Sequence, residues 1–493
     1  MLPKKFNFRH NDIFLLAVFY TIMHGGILLI PNAIFWDDWI LYRTEPSVIA
    51  DTFKQAGVIL NWVSYLHITL LEIGPWIYKV LTFFLMFICG LLLNLILARA
   101  AILSKENRFL VVLLFLVFPF NMARVAIIDF GYTLCLFSFF SAWYLIERQR
   151  IIALALFFFS FNTNSLLVFY ALPVLDIMHR NGHLKNSTSF IAFIFRYPDF
   201  LILPFLFYFV KVYFYNPTGF YANYNQHYSY GNIRYAVKTQ LKDLVKFRVN
   251  PYLFFALLPI IYVCTKRWHS QKSLAYELKT LHLFFIGCLA LFLAGFPYWI
   301  VNLVPTFNEW SSRHQLLFPL GTAVLVVAIL QLFQNRIKTI IVATLIAACL
   351  SYGLATYYSF IQDWQKQSEL LKFMTANTLK LKDANLVIFD DKTKSLNAIA
   401  REYRFYEWNG LLEQATGNEK HFGIQPNELL QYQRGDFDQY FQAHYKADDH
   451  ARISSVAPIL ITINLKGSTS LFNLKLKEFE FSATPITVTT TRP

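Results

Sequence analysis

The chain has 493 residues, of which 56% are hydrophobic, 18% aromatic and only 15% charged, with 51 phenylalanines. A soluble protein of this size lacks the polar surface to cover so much apolar side chain, so the composition excludes an ordinary soluble fold and marks a polytopic membrane protein. The formal net charge of +14 is accounted for by Lys and Arg collecting in cytoplasmic loops, and no nucleic-acid partner is expected.

Lys4, Lys5 and Arg9 precede an apolar run from Ile13 to Ile30. The run is too long for a secretory signal and no small-residue cleavage site follows, so an uncleaved first membrane helix is expected. A crossing needs about 20 apolar residues. Spans are expected near 13–31, 77–98, 109–120, 131–146, 151–161, 165–178, 199–215, 251–264, 280–300, 315–333 and 337–358. The pair divided by Asn162-Thr163-Asn164 reads either as two spans or as one broken helix. With the N-terminus inside, basic residues concentrate on the inner side, as at Arg99, Lys105 and Arg108 or at Lys266, Arg267 and Lys272, which obeys the positive-inside rule. The outer loop 216–250 is the exception, being basic and Tyr-rich. The five cysteines lie in apolar stretches without metal-ligand spacing and read as packing residues.

From about Ile361 charged and polar residues become common. Asn385-Leu386-Val387-Ile388-Phe389 and Ile459-Leu460-Ile461-Thr462-Ile463 have strand character. The fold class expected is a polytopic α-helical membrane protein of about 11 transmembrane helices with a small C-terminal soluble α/β domain, divided into 1–360 and 361–493. Asp390-Asp391 reads as a strand-end turn, and the acceptor sequence Asn186-Ser187-Thr188 falls on the inner side.

The residues that carry chemistry stand at the outer ends of the spans. Asp37 and Asp38, in Phe35-Trp36-Asp37-Asp38-Trp39, follow the first span, and the flanking tryptophans are expected to anchor the loop among lipid headgroups. Reduced hydration there raises a carboxylate pKa and makes it a better base. The same loop offers Arg43 and His67. Glu309-Trp310-Ser311-Ser312-Arg313-His314 places a guanidinium suited to two-point contact with phosphate at a span boundary, with His314 beside it. Arg124 either joins the same anion or pairs with Asp129. Tyr221, Tyr224 and Tyr228 either stack on sugar rings or anchor their loop in the interface. The sequence has no glycine-rich phosphate loop, no paired-cysteine zinc pattern and no Gly-x-Ser-x-Gly turn, so ATP hydrolysis and serine hydrolase chemistry have no support.

With its acidic pair in the loop after the first span, its arginines at outer helix ends and its polar tail, the chain resembles the GT-C superfold of integral membrane glycosyltransferases. That resemblance implies transfer of a sugar from a polyprenyl-phosphate sugar donor to a hydroxyl on a glycan, lipid or protein acceptor. Asp37 would be the base, Asp38 its orienting partner or the reverse, and Arg313 the phosphate ligand with His314 or Arg124 assisting. A monophosphate donor needs no cofactor, whereas a pyrophosphate donor calls for a divalent metal, with the acidic pair as ligands. The charge bias puts the N-terminus in the cytoplasm and the tail outside, and the lack of outward glycosylation sites and the short loops point to a bacterial inner membrane. A flippase or transporter of lipid-linked saccharides, and an outer-leaflet oligosaccharide polymerase or ligase, are the alternatives.

Overall fold

Apolar runs fold as helices because a backbone taken out of water must satisfy its N–H and C=O groups within the segment. The structure, a computed structural model, describes residues 10–42, 44–183, 187–222, 229–244, 249–266, 277–307, 309–382, 384, 386–417, 422–429, 457–466 and 478–486. Helix starts follow local chemistry. Pro75 opens the helix Pro75–Ala100 after Gly74, and the Ser104 hydroxyl accepts from the Asn107 N–H (3.2 Å) at the head of Lys105–Val117. At Asn162 the chain turns between two separate helices, Arg150–Ser160 and Asn164–Phe169, with the Thr163 N–H donating to the Ser160 carbonyl (3.0 Å).

Among the described residues, four helices are long and apolar enough to cross a membrane: Asn11–Leu29, Pro75–Ala100, Thr280–Trp299 and Asn335–Ala376. Others that fall on expected spans are shorter. The 13 residues of Phe318–Leu330 reach about 20 Å, against a hydrocarbon core of about 30 Å. The architecture fits a helical membrane protein, while a count of about eleven crossings exceeds what helix length alone supports. Asn335–Ala376 runs unbroken for 42 residues, about 63 Å, and so continues straight through the composition change at Ile361.

The tail adds a four-stranded sheet of order β2-β1-β3-β4, with β1 at Leu386–Asp391, β2 at Phe422–Ile424, β3 at Ile459–Leu465 and β4 at Phe479–Pro485. β1 lies parallel to β2 and β3, and β3 pairs antiparallel with β4. As a central strand β1 is apolar on both faces, whereas β3 alternates buried and half-buried residues. Helix Phe405–Thr416 covers the sheet, with Trp408 stacked on Phe389 at 4.4 Å. Asp391 ends β1 paired with Lys366 (2.8 Å) and accepts from the Thr393 N–H (2.9 Å), so this part of the tail's acidic pair closes a strand-end turn.

One face of the sheet packs within the tail, around Leu386, Ile388, Phe422 and Ile424, and the other shares its core with the helical part. Ile34, Trp39, Tyr78, Ile127 and Phe130 are buried in one cluster with Val387, Phe389, Leu411 and Ile461. Trp39 lies flat against Gly410, where a Cβ would come within 2.4 Å of its ring, so only glycine fits. Trp36 and Trp39 are therefore buried against protein, which corrects the headgroup anchoring expected of them. Trp39 is enclosed by the small sheet and its covering helix, Trp36 by Phe360 and Trp310, and a local motif carries no sign of either.

A buried ionic junction completes the seam. Arg401, 0% exposed, donates to Asp363 (2.6 Å) on the long helix and to Glu407 on the sheet-covering helix. Glu407 also accepts from the Arg404 N–H (3.1 Å) and, across the seam, from the Trp36 N–H (3.3 Å). Gln367, with its amide oriented to satisfy both neighbours, donates to the Ile34 carbonyl (3.1 Å) and accepts from Arg401 (2.9 Å). Removing one member of such a set leaves uncompensated buried charge. Arg401→Met is expected to lower stability by about 3–5 kcal/mol, read as a large fall in unfolding midpoint in detergent. A midpoint within experimental error of wild type would show that the junction carries no such weight.

Candidate active site

The acid-bearing loop turns tightly. Trp36 adopts φ 51°, a left-handed conformation that costs a bulky residue about 1–3 kcal/mol. It persists because both sides hold it: Glu407 takes its N–H, and its ring packs on Phe360 (5.8 Å) and Trp310 (5.4 Å). The strained residue delivers the next two side chains in different directions.

Asp38 turns inward and is 0% exposed. Its carboxylate accepts from the N–H groups of Ile127 (2.8 Å), Ile128 (2.9 Å) and Phe35 (3.2 Å). Burial raises its pKa to about 6, opposed by the nearby Lys79 ammonium and by those three N–H groups. Lys79, itself buried, donates to the Val125 carbonyl. Asp38 thus clasps the first loop to the turn 121–129. Asp37, at the head of the short helix Asp38–Leu41, is only half-buried.

That turn supplies a third carboxylate. Asp129 is 2% exposed, and neither of its oxygens has a hydrogen-bond donor among the described residues. Burial pushes its pKa well above the usual carboxylate range; the charges of Asp38 and Asp37 push the same way and the Arg313 guanidinium opposes them. Arg313 is half-buried and stacked on Trp310 (4.2 Å to the ring centre). Its turn, Glu309–Gln315, is tied down by the Ser312 hydroxyl, which accepts from the Ala123 N–H (2.9 Å). Three turns distant in sequence thereby bring Asp37, Asp38 and Arg313 each within electrostatic reach of Asp129.

The other expected residues stand elsewhere. Arg124 is 4% exposed and spends its guanidinium on the Asn121 and Phe120 carbonyls of its own turn. Its charge is felt by Tyr20, His24 and Tyr357 in the helix interior. It makes no ion pair with Asp129, contrary to the pairing expected, because closing its turn directs it away. His314 is buried against Tyr298 (4.8 Å). Burial and the adjacent Arg313 lower its pKa to about 3, so it supplies no positive charge at neutral pH. His67 is 0% exposed, bonded to the Tyr78 hydroxyl (3.0 Å) and stacked on Phe53, as a core residue. Tyr221 is half-buried in the short turn Gly219–Tyr221. Arg43, Tyr224, Tyr228 and Asn186 lie outside the described residues. Among the described residues no group of three or more His, Cys, Asp or Glu side chains is placed to hold a metal ion.

Two outcomes follow from this geometry. Asp38→Ala strands three N–H groups and is expected to cost about 2–5 kcal/mol; an unfolding midpoint equal to wild type would remove the clasp. Asp129 has a raised folded pKa, so its stabilising contribution is present at low pH and lost as pH rises above the ordinary carboxylate value of about 4. The unfolding midpoint of wild type should therefore fall relative to Asp129→Asn as pH rises, and parallel midpoints would contradict the raised pKa.

No protein-family model matches this chain, and no curated protein or solved structure matches it either.

Proposed function

We propose that the protein is a membrane glycosyltransferase of the GT-C kind, moving a sugar from a polyprenyl-phosphate carrier to an acceptor hydroxyl. The observation that carries this reading is the division of labour in the acidic pair. Asp38 is consumed by three backbone N–H groups, while Asp37, held beside it by a strained Trp36, stays half-buried, and both Asp37 and Arg313 act electrostatically on Asp129.

In the reaction Asp37 takes the proton of the acceptor hydroxyl as that oxygen bonds to the anomeric carbon. The bond from the anomeric carbon to the phosphate oxygen breaks, and its electron pair leaves with the phosphate. Arg313 stabilises the leaving anion with a planar guanidinium braced on Trp310. One displacement inverts the anomeric centre, as in single-step glycoside hydrolysis. Burial disfavours the charged form of Asp129 beside the departing phosphate. On this reading the positive-inside bias supports a site on the outer face of the membrane, with about eleven crossings and an extracytoplasmic tail.

A transporter of lipid-linked saccharides would use charged residues lining a path through the bilayer. The buried cations Lys79 and Arg124 instead close helix-end turns on backbone carbonyls, which favours the enzyme.

Purified protein in liposomes with radiolabelled polyprenyl-phosphate sugars tests the reading. Wild type should transfer label, Asp37→Asn should lose about 100- to 10,000-fold in rate while keeping its unfolding midpoint, and Arg313→Lys should be impaired through loss of two-point contact. Wild-type rates in folded Asp37→Asn would sink Asp37 as base. Loss on Asp129→Asn alone would move the base to Asp129.

A further inference from the structure

The amphipathic helix Tyr230–Leu244 lies against the end of a candidate membrane span, and its outward face has no described partner. Its inner face is seated firmly. Asn232 donates to the Ile300 carbonyl (3.2 Å), Gln240 accepts from the Trp299 indole (3.0 Å), Asp243 accepts from the Phe307 N–H (2.6 Å), and Ala236 is 0% exposed. These contacts fix the helix just beyond the C-terminal end of Glu277–Trp299, at the same end of the bundle as the Arg313 turn. The remaining face carries two parallel stripes. Ile233, Val237 and Leu241 recur every four residues, and Arg234, Lys238 and Lys242 recur beside them. Together they line an open hollow of ≈ 600 Å³. Arg234, Lys238, Leu241 and Lys242 are exposed, and none of the three cations is ion-paired with a described residue.

We infer that this face binds an anionic phospholipid, with the acyl chain along Ile233, Val237 and Leu241 and the phosphate against Arg234, Lys238 and Lys242. The match is chemical. A lipid at the bilayer boundary offers a hydrocarbon chain and an anion side by side, in the order in which the two stripes stand. A free soluble anion would leave the apolar stripe in water, and a purely hydrophobic partner would leave three cations desolvated beside it. The inference goes beyond the transfer reaction and does not depend on it.

The test is titration of the full-length protein, in zwitterionic detergent micelles at low salt, with fluorescent phosphatidylglycerol and with fluorescent phosphatidylcholine. Wild type should prefer phosphatidylglycerol. A cation near an anionic lipid contributes about fivefold in affinity. The exposed-residue variant R234Q/K238Q/K242Q should therefore lose that preference by about tenfold or more at an unchanged unfolding midpoint, and Leu241→Ser should weaken both lipids. Equal affinity of wild type for the two lipids, or a preference retained in the triple variant, overturns the proposal. Displacement of phosphatidylglycerol by millimolar inorganic phosphate also overturns it, because the face would then be a soluble-anion site.

Discussion

The carboxylate of Asp38 is the joint on which the rest is hung. Three backbone N–H groups from two segments ninety residues apart converge on it, with the Lys79 ammonium as its nearest opposite charge. Burying a charge without such partners would be prohibitive, so the first loop and the turn at Ile127–Ile128 can each take their shape only when the other is present. Once the clasp is closed, the positions of Asp37 and Asp129 are no longer independent, and Ser312 brings Arg313 into the same register through the Ala123 N–H. A pair of adjacent acids is thereby divided, Asp38 fully buried and holding backbone, Asp37 half-buried.

The tail belongs to this arrangement as well. Beside a small cluster of its own, the tail shares a larger one with Ile34, Trp39 and Phe130 of the helical part. Arg401 joins the long helix to the tail through Asp363 and Glu407, and Glu407 passes the constraint on to the Trp36 N–H. Strain at Trp36 is thus balanced by hydrogen bonding from a residue more than 370 positions away. Such bracing from two sides would suit the proposed transfer, which depends on placing a base and a cation around a reacting carbon.

Much of the framework was legible in the sequence, because apolar runs and β-branched alternation are local signals. The helices Pro75–Ala100 and Glu277–Trp299 and the strands at Leu386 and Ile459 fall where periodicity and composition put them. The crossing count was less legible, since helices such as Phe318–Leu330 are shorter than a bilayer core. Within the site, Asp37, Asp38 and Arg313 stand out by type and place, but nothing local separates two neighbouring aspartates; only burial does. Asp129 read as one of two possible partners for Arg124, the other being the anion, and in the structure Arg124 bonds the carbonyls of its own turn instead. Arg401, Glu407 and Asp363 gave no sign at all, because ion pairs between distant segments have no period and no motif. His67 and His314 looked available as polar loop residues, and aromatic packing enclosed both.

The most direct test of the account is chemical access to position 37 from outside the cell. An Asp37→Cys variant, with the five native cysteines replaced, should react with a membrane-impermeant maleimide added to intact cells, at a rate unchanged by permeabilisation. Reaction only after permeabilisation would put the acidic pair on the cytoplasmic side. That result would contradict an outward-facing Asp37 as the base of the transfer reaction.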